Sequence, residues 1–360
     1  MKSLILKEIH EELKAKMVPF AGFEMPIQYE GVTAEHLTVR SAVGIFDVSH
    51  MGEFAVTGPS ALDLIQWVTS NDASKLADGD VQYSCFPNGK GGIVDDLLVY
   101  RFQKDKYMLV VNASNIEKDW AWLVEQNEQF GAVLSNKSDQ YCLFAIQGPK
   151  AAEAIQALTP ENLKSIPYYK FKLGSFAGFE HIIISATGYT GAGGFEIYVP
   201  NEHAVAVWQA IMKSGTSHGI KPIGLAARDT LRQEMGYCLY GNDIDETTSP
   251  IEASLSWITK FSKDFIDAEV LKAQKAQGVE RKLVGFKLLD RGIPRQGYFV
   301  KDKEGKEIGV VTSGTMSPSL KEAIGLAYIS TEHAAVDSEI YIEIRQKLLR
   351  GIVSKLPFLK

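Results

Sequence analysis

The sequence predicts an α+β protein built mainly from antiparallel sheets and ending in a small β-barrel. Two observations carry this. Through residue 255, hairpin strands alternate with single helices across short connections. From 281 to 360 only short strands remain, six of them, at a spacing that suits a barrel or sandwich. Composition bounds the class. At 360 residues, 45% hydrophobic and 23% charged, the chain can bury a good core and reads as soluble and globular.

The elements follow in order. Residues 3–17 have helical spacing, with Leu4, Ile5, Ile9 and Leu13 on one stripe, and a loop containing PFAGFEMP comes next. Thr33 opens a helix over 33–43. VGIFDVSHMGEFAVTG reads as strands with turns, and PSALDLIQWVTS as a helix with Pro59 near its start. YSCFPN, GGIVDDLLVYRF and KYMLVVNA are strands, the last two joined into a hairpin by the turn QKDK. Residues 115–126 are helical. The order then recurs. YCLFAIQG is a strand and PKAAEAIQAL a helix. FEHIIISATGYT and FEIYVP are strands around the turn GAGG. HAVAVWQAIMKSG and 225–234 are helices. The expected organisation is 1–255 as two α+β subdomains, 256–280 as a Lys-rich helical linker, and 281–360 as the barrel.

Charge and cysteine usage exclude several function classes. The net charge of −6 gives no electrostatic support to general nucleic-acid binding. Three cysteines, Cys85, Cys142 and Cys238, form no CxxC and no closed disulfide framework. The seven histidines show no metal-ligand spacing, so no metal is expected. The charged N-terminus MKSLILKEIHEELKAK is neither a signal peptide nor a membrane span, and a cytoplasmic protein is expected. The last twenty residues are basic. Arg345, Lys347, Arg350, Lys355 and Lys360 face only Glu343, which reads as a solvated tail or as a patch for an acidic partner.

Four features carry possible chemistry. The strand GGIVDDLLVY is apolar on both faces yet holds Asp95 and Asp96, so at least one carboxylate sits where water is scarce. These acids either hydrogen-bond a turn after Gly91-Gly92 or serve chemistry. GYTGAGGFE is no nucleotide loop, because FEIYV after it alternates like a strand. It reads as a Gly-rich turn that leaves backbone open to a ligand, with Glu196 just inside the second strand. Glu196 is either solvent-facing or a recognition group for a donor-rich ligand edge. Arg228 and Arg232 stand at i and i+4, to be balanced by Asp229 and Glu234, unless Arg228 pairs with Glu196 or a ligand. Tyr83, Tyr100, Tyr168, Tyr169, Tyr189 and Tyr237 lie beside strand ends or Gly turns and Trp257 follows a helix, a set suited to a flat heteroaromatic ligand. No nucleophile stands out, and His50 reads as structural.

The motifs MVPFAGFEMP, VGIFDVSHMGEF, GGIVDDLLVY, VVNASNIEKD, ATGYTGAGGFEIY, GLAARDTLRQEMGYCLYGNDI, SPIEASLSW and VTSGTMSPSL span nearly the whole chain. In this order they resemble the aminomethyltransferases, the T-proteins of the glycine cleavage system. The resemblance implies folate-binding α+β domains around a central cavity, followed by a C-terminal β-barrel. It implies transfer of an aminomethyl carbon from the lipoyl arm of a carrier, the H-protein, to tetrahydrofolate, with release of ammonia. It further implies that Asp96 is the functional acid, buried for chemistry, with Asp95 structural. Glu196 and Arg228 match the substrate-binding glutamate and arginine. Tyr83, Tyr100, Asn112, Tyr189 and Trp257 match further cavity residues. Ala192 and Gly193 stand where the family often carries an acidic pair. Two other readings stay open: a different folate-dependent one-carbon transferase or demethylase, and a folate-binding protein without catalysis.

Overall fold

The computed structural model describes residues 1–359 and divides them into two compact units. One comprises 1–65, 73–83 and 97–229. The other comprises 66–72, 84–96 and 230–360. The chain crosses between them inside the strands Asp80–Pro87 and Ile93–Gln103 and inside the helix Leu225–Met235. The expected mixture of mainly antiparallel sheets, helices and a closing barrel is what the structure contains.

In the first unit a six-stranded sheet runs in the order Phe171–Phe176, Phe179–Ser185, Gly194–Pro200, Tyr141–Gln147, Val43–Asp47, Ile220–Pro222. All pairs are antiparallel except the last, where Ile220–Pro222 lies parallel to Val43–Asp47. Phe144, Ile146, Ile184, Ile197 and Val199 form its buried face. The helix Ala204–Gly215 covers that face with Ala204, Val207, Trp208 and Ile211, spaced as one helical stripe. Each large side chain so buried stabilises the unit by about 1.5–3 kcal/mol.

The N-terminal segment departs from expectation. Its helix is only Lys7–Glu12. Lys16–Phe20 instead pairs with Phe23–Gln28 around Ala21 and Gly22, both at positive φ, so PFAGFEMP is a hairpin and not a loop. Leu4 is buried, while Ile5 and Leu13 are exposed, because the short helix anchors through His10 rather than through an apolar stripe. The fully buried imidazole meets Asp47 Oδ2 at 2.9 Å through Nε2 and the Tyr29 hydroxyl at 3.0 Å through Nδ1. A carboxylate only accepts, so Nε2 carries the proton and Nδ1 accepts from Tyr29.

In the second unit, six strands close a barrel in the order Arg281–Leu288, Ala323–Ser330, Glu307–Met316, Phe299–Lys301, Glu339–Ile344, Lys347–Ser354. The basic C-terminal run is therefore barrel hairpin rather than tail. Arg345 sits in its turn at positive φ, and Arg350 pairs with Asp290. Lys360 lies outside the described residues. Residues 256–280 hold an α-helix only over Ala268–Gln277.

Arg232 is 1% exposed and carries a dense set of bonds. It donates to Asp243 at 2.6 Å, to the Tyr237 carbonyl and to the Ser313 hydroxyl. Asp243 also accepts from Thr312 in the barrel. Glu234 takes the hydroxyls of Ser317 and Ser319. Asp243→Asn removes the counter-charge from a buried guanidinium and is expected to cost about 3 kcal/mol, read as a lowered denaturation midpoint. A loss under about 1 kcal/mol would show that this pair does not hold the barrel.

Candidate functional site

The site's first-unit residues are set by one glycine turn and the strand after it. Gly188, Gly191, Gly193 and Gly194 fall between Thr187 and Phe195. Gly194 has φ +130°, and a Cβ there would lie 2.2 Å from the Ile146 carbonyl oxygen. A Cβ at Gly188 would lie 2.0 Å from the Gln147 side chain. Only glycine permits that approach. Gln147, itself buried, donates to the Thr187 carbonyl at 3.1 Å and accepts from the Thr190 hydroxyl at 2.8 Å, which fixes the turn's path.

Beyond the turn, alternation sends Phe195 and Ile197 into the core and leaves Glu196 on the opposite face. Register places Glu196 opposite Ser185 on one neighbour and Ala145 on the other. The Thr187 hydroxyl donates to Glu196 Oε2 at 2.5 Å. Behind Thr187 stand three more hydroxyls. Ser185 lies at 2.9 Å from it and Tyr100 at 3.3 Å, and Tyr100 reaches Ser185 at 3.1 Å and Tyr198 at 2.9 Å. Ser185, Tyr100 and Tyr198 are all buried. Loss of water raises the Glu196 carboxyl above its ordinary pKa, while the Thr187 hydrogen bond and the nearby Arg228 charge pull it back down.

Arg228 rides in the helix Leu225–Met235. Glu35, buried, pins the start of that helix by accepting from Gly224 N at 2.7 Å while its other oxygen accepts from Tyr29 N and Gly31 N. The guanidinium then lies 4.4 Å from the Tyr189 ring centroid, a cation–π contact that orients it. His50, buried, feels the Arg228 charge. Burial first and Arg228 second push its pKa down to about 3, so the ring is neutral. Its Nδ1 has no hydrogen-bond partner among the described residues.

The second unit supplies a different cluster. The amides of Gly89 and Gly91 are taken by Asp267 Oδ2, and that of Gly92 by Asn88 Oδ1. The turn before the acid pair thus draws on partners outside that pair. Asp95 is fully buried and Asp96 is only half-buried, which corrects the expectation that Asp96 is the deeply buried acid. An acid that meets a ligand must keep an open side. Cys85 and Cys238 are buried nearby. Burial raises both thiols well above their ordinary pKa, with Asp96 adding to each and Asp95 to Cys85, so both stay protonated.

The structure gathers Glu196, Arg228, Tyr189 and Tyr100 in the first unit, Tyr100 reaching Glu196 through Thr187. Asn112 follows the strand Lys106–Val111 and Tyr83 lies within Asp80–Pro87, both half-buried. Trp257 sits in the second unit on the short 3-10 turn Ser256–Ile258 rather than after a helix, and is 59% exposed. Sequence reasoning passed over Thr187, Ser185, Tyr198 and Gln147 and set His50 aside as structural. One signal was available: Ser185 and Thr187 follow the apolar run Ile182–Ile184 at a spacing of two, which sets them on one face if the extended backbone continues. No cluster of metal-ligating side chains occurs among the described residues. Nor is any helix among them long and apolar enough to cross a membrane.

Comparison with known proteins is consistent along the whole chain. Residues 6–263 match the GCVT N-terminal domain, and residues 281–360 match the glycine cleavage T-protein C-terminal barrel domain. An aminomethyltransferase of Flavobacterium psychrophilum is 60% identical over 360 residues, and one of Bacteroides fragilis is 58% identical over 362, each covering 100% of both chains. The crystal structure of glycine cleavage system aminomethyltransferase T from Bartonella henselae superposes with a TM-score of 0.92 at 36% identity, covering 99% of this chain and 98% of that one. With both domains matched in order and relatives this similar over their full length, the chain belongs to the glycine cleavage T-protein family of aminomethyltransferase enzymes.

Proposed function

We propose that this enzyme moves an aminomethyl carbon from the lipoyl arm of a carrier, the H-protein, onto tetrahydrofolate, breaking its bonds to nitrogen and sulfur so that ammonia is released, the arm is left as the dihydrolipoyl dithiol and methylenetetrahydrofolate forms, in glycine cleavage. Family membership supports the reaction. The observation that carries the site is the oriented Glu196 carboxylate beside an Arg228 guanidinium stacked on Tyr189. The residues present fit a reduced pterin. Its edge offers two adjacent N–H donors, and a carboxylate accepts such a pair in a fork. Thr187 takes one of the roughly four lone-pair positions of Glu196. Tyr189 and Arg228 offer a flat face and a donor for a carbonyl, and Tyr83, Asn112 and Trp257 are assigned to the same ligand.

Tetrahydrofolate, when bound, supplies the amine nitrogen that takes up the carbon. The chain's part falls to Asp96. Positive charge develops on the transferred carbon as its bond to the departing ammonia weakens, and a fixed carboxylate stabilises that charge. Asp96 is also suited to accept the proton the nitrogen sheds. Neutral Cys85 and Cys238 add no competing charge, and their burial lowers the local dielectric, which strengthens the effect of one carboxylate. The exposed barrel cations Arg345, Lys347, Arg350 and Lys355 are assigned to docking an acidic face of the carrier, since Glu343 is engaged by Lys301. A reducing cytoplasm suits the three buried free cysteines.

Asp96→Asn keeps shape and removes charge. It is expected to lower single-turnover formation of methylenetetrahydrofolate about a hundredfold or more, with tetrahydrofolate affinity nearly unchanged; near-normal turnover removes Asp96 from the chemistry. Glu196→Gln replaces an acceptor with an amide and is expected to weaken tetrahydrofolate binding about tenfold, measured by calorimetry. Unchanged affinity would take Glu196 off the pterin edge. Raising the salt from low to roughly physiological and above is expected to raise KM for the carrier in steps. A salt-independent KM speaks against charge-steered docking.

A further inference from the structure

We propose that Thr187 is a positioning residue, and that Ser185, Tyr100 and Tyr198 behind it form a hydroxyl relay that holds Glu196 as an oriented carboxylate for its ligand. The proposal rests on the reading of Glu196 as acceptor for the pterin edge.

Proton counting sets the direction of the relay. Four hydroxyls carry four protons. An ionised carboxylate cannot donate, so Thr187 spends its proton on Glu196 Oε2. The Thr187 oxygen must then accept from Ser185 at 2.9 Å or from Tyr100 at 3.3 Å. Tyr198 meets Tyr100 at 2.9 Å, and in the proposed order it donates, which leaves the Tyr100 proton for Ser185 or Thr187. In that order the hydroxyl dipoles point towards Glu196. Chained bonds in a buried setting polarise one another, so the distant tyrosine also contributes. A protonated Glu196 would compete for the Thr187 oxygen and reverse this order.

The relay holds no charge of its own. Burial pushes both Tyr100 and Tyr198 above the ordinary tyrosine pKa, so they remain protonated donors. The charged or titratable groups facing the system are few. Arg228 acts on Glu196, His50 lies beside Arg228, and Glu53 lies near Tyr198. His50 is neutral, and burial raises the Glu53 carboxyl well above its ordinary pKa. The pH response of Glu196 is set by its burial, the Thr187 donor and the constant Arg228 charge, and of these the relay supplies the Thr187 donor.

A purely structural role would alter stability or affinity without moving a pH midpoint. The test is calorimetric binding of tetrahydrofolate between about pH 5 and pH 8, with thermal melts as a folding control. Glu196 must be ionised to accept, so wild-type binding weakens as pH falls. Thr187→Val removes the donor and keeps the shape. The midpoint is expected to move up by about one pH unit, about a tenfold loss of affinity below both midpoints. Thr187→Ser restores it. Tyr198→Phe moves it the same way, about half as far. An unmoved midpoint in Thr187→Val, or an equal loss at every pH, overturns the relay. If Thr187→Val does not fold, Tyr198→Phe decides: an upward shift supports the relay and no shift overturns it. Glu196→Gln separates the two levels. A flat profile with weak binding keeps the Glu196 reading whatever the relay variants do. A wild-type profile overturns that reading and the relay with it.

Discussion

A charge taken out of water has to find partners, and that requirement organises both units of this chain. In the first unit, Glu35 gathers three backbone amides from Tyr29, Gly31 and Gly224, and so ties the start of the Arg228 helix to the segment before residue 32. Asp47 does the same for the N-terminus through His10 and Ser49. In the second unit, Asp243 binds Arg232, Thr312 and the Leu239 amide. Apolar burial supplies most of the stability, but it is indifferent to register. Buried carboxylates are not indifferent, because an unpartnered one costs several kcal/mol. They select one arrangement from among many that would bury the same apolar area.

The site residues are less deeply sealed than these anchors. Glu196 and Asp96 are half-buried rather than sealed, and His50 keeps a ring nitrogen without a partner. Glu196 lies next to groups that bond one another, namely the hydroxyl relay and the Gln147-bound glycine turn. A rigid, internally satisfied surround with a few open polar atoms is what lets a site bind without rearranging. The free energy to hold those atoms open is built into the folding of the units.

The sequence by itself determined the class of fold and much of its order. Period-two patterning located the six barrel strands and the hairpin of Ile93–Gln103 with Lys106–Val111, because patterning reports directly which side chains face inward. The strand after GAGG was legible for the same reason, and it excluded a nucleotide loop. The motifs, strung along nearly the whole chain, pointed to the family and to Asp96, Glu196 and Arg228 as residues to weigh. Tertiary structure decided the rest. Periodicity says which face a residue takes but not what covers that face. So it could not tell that Asp95 is the deeper acid, that Glu234 serves Ser317 and Ser319 while Arg232 goes to Asp243, or that the first helix stops at Glu12. The hydroxyl relay was equally hidden. Its members come from residues 100, 185, 187 and 198: pairing of Phe179–Ser185 with Gly194–Pro200 sets Ser185 near Tyr198, and only the packing of Ile93–Gln103, a strand of another sheet, brings Tyr100 to them.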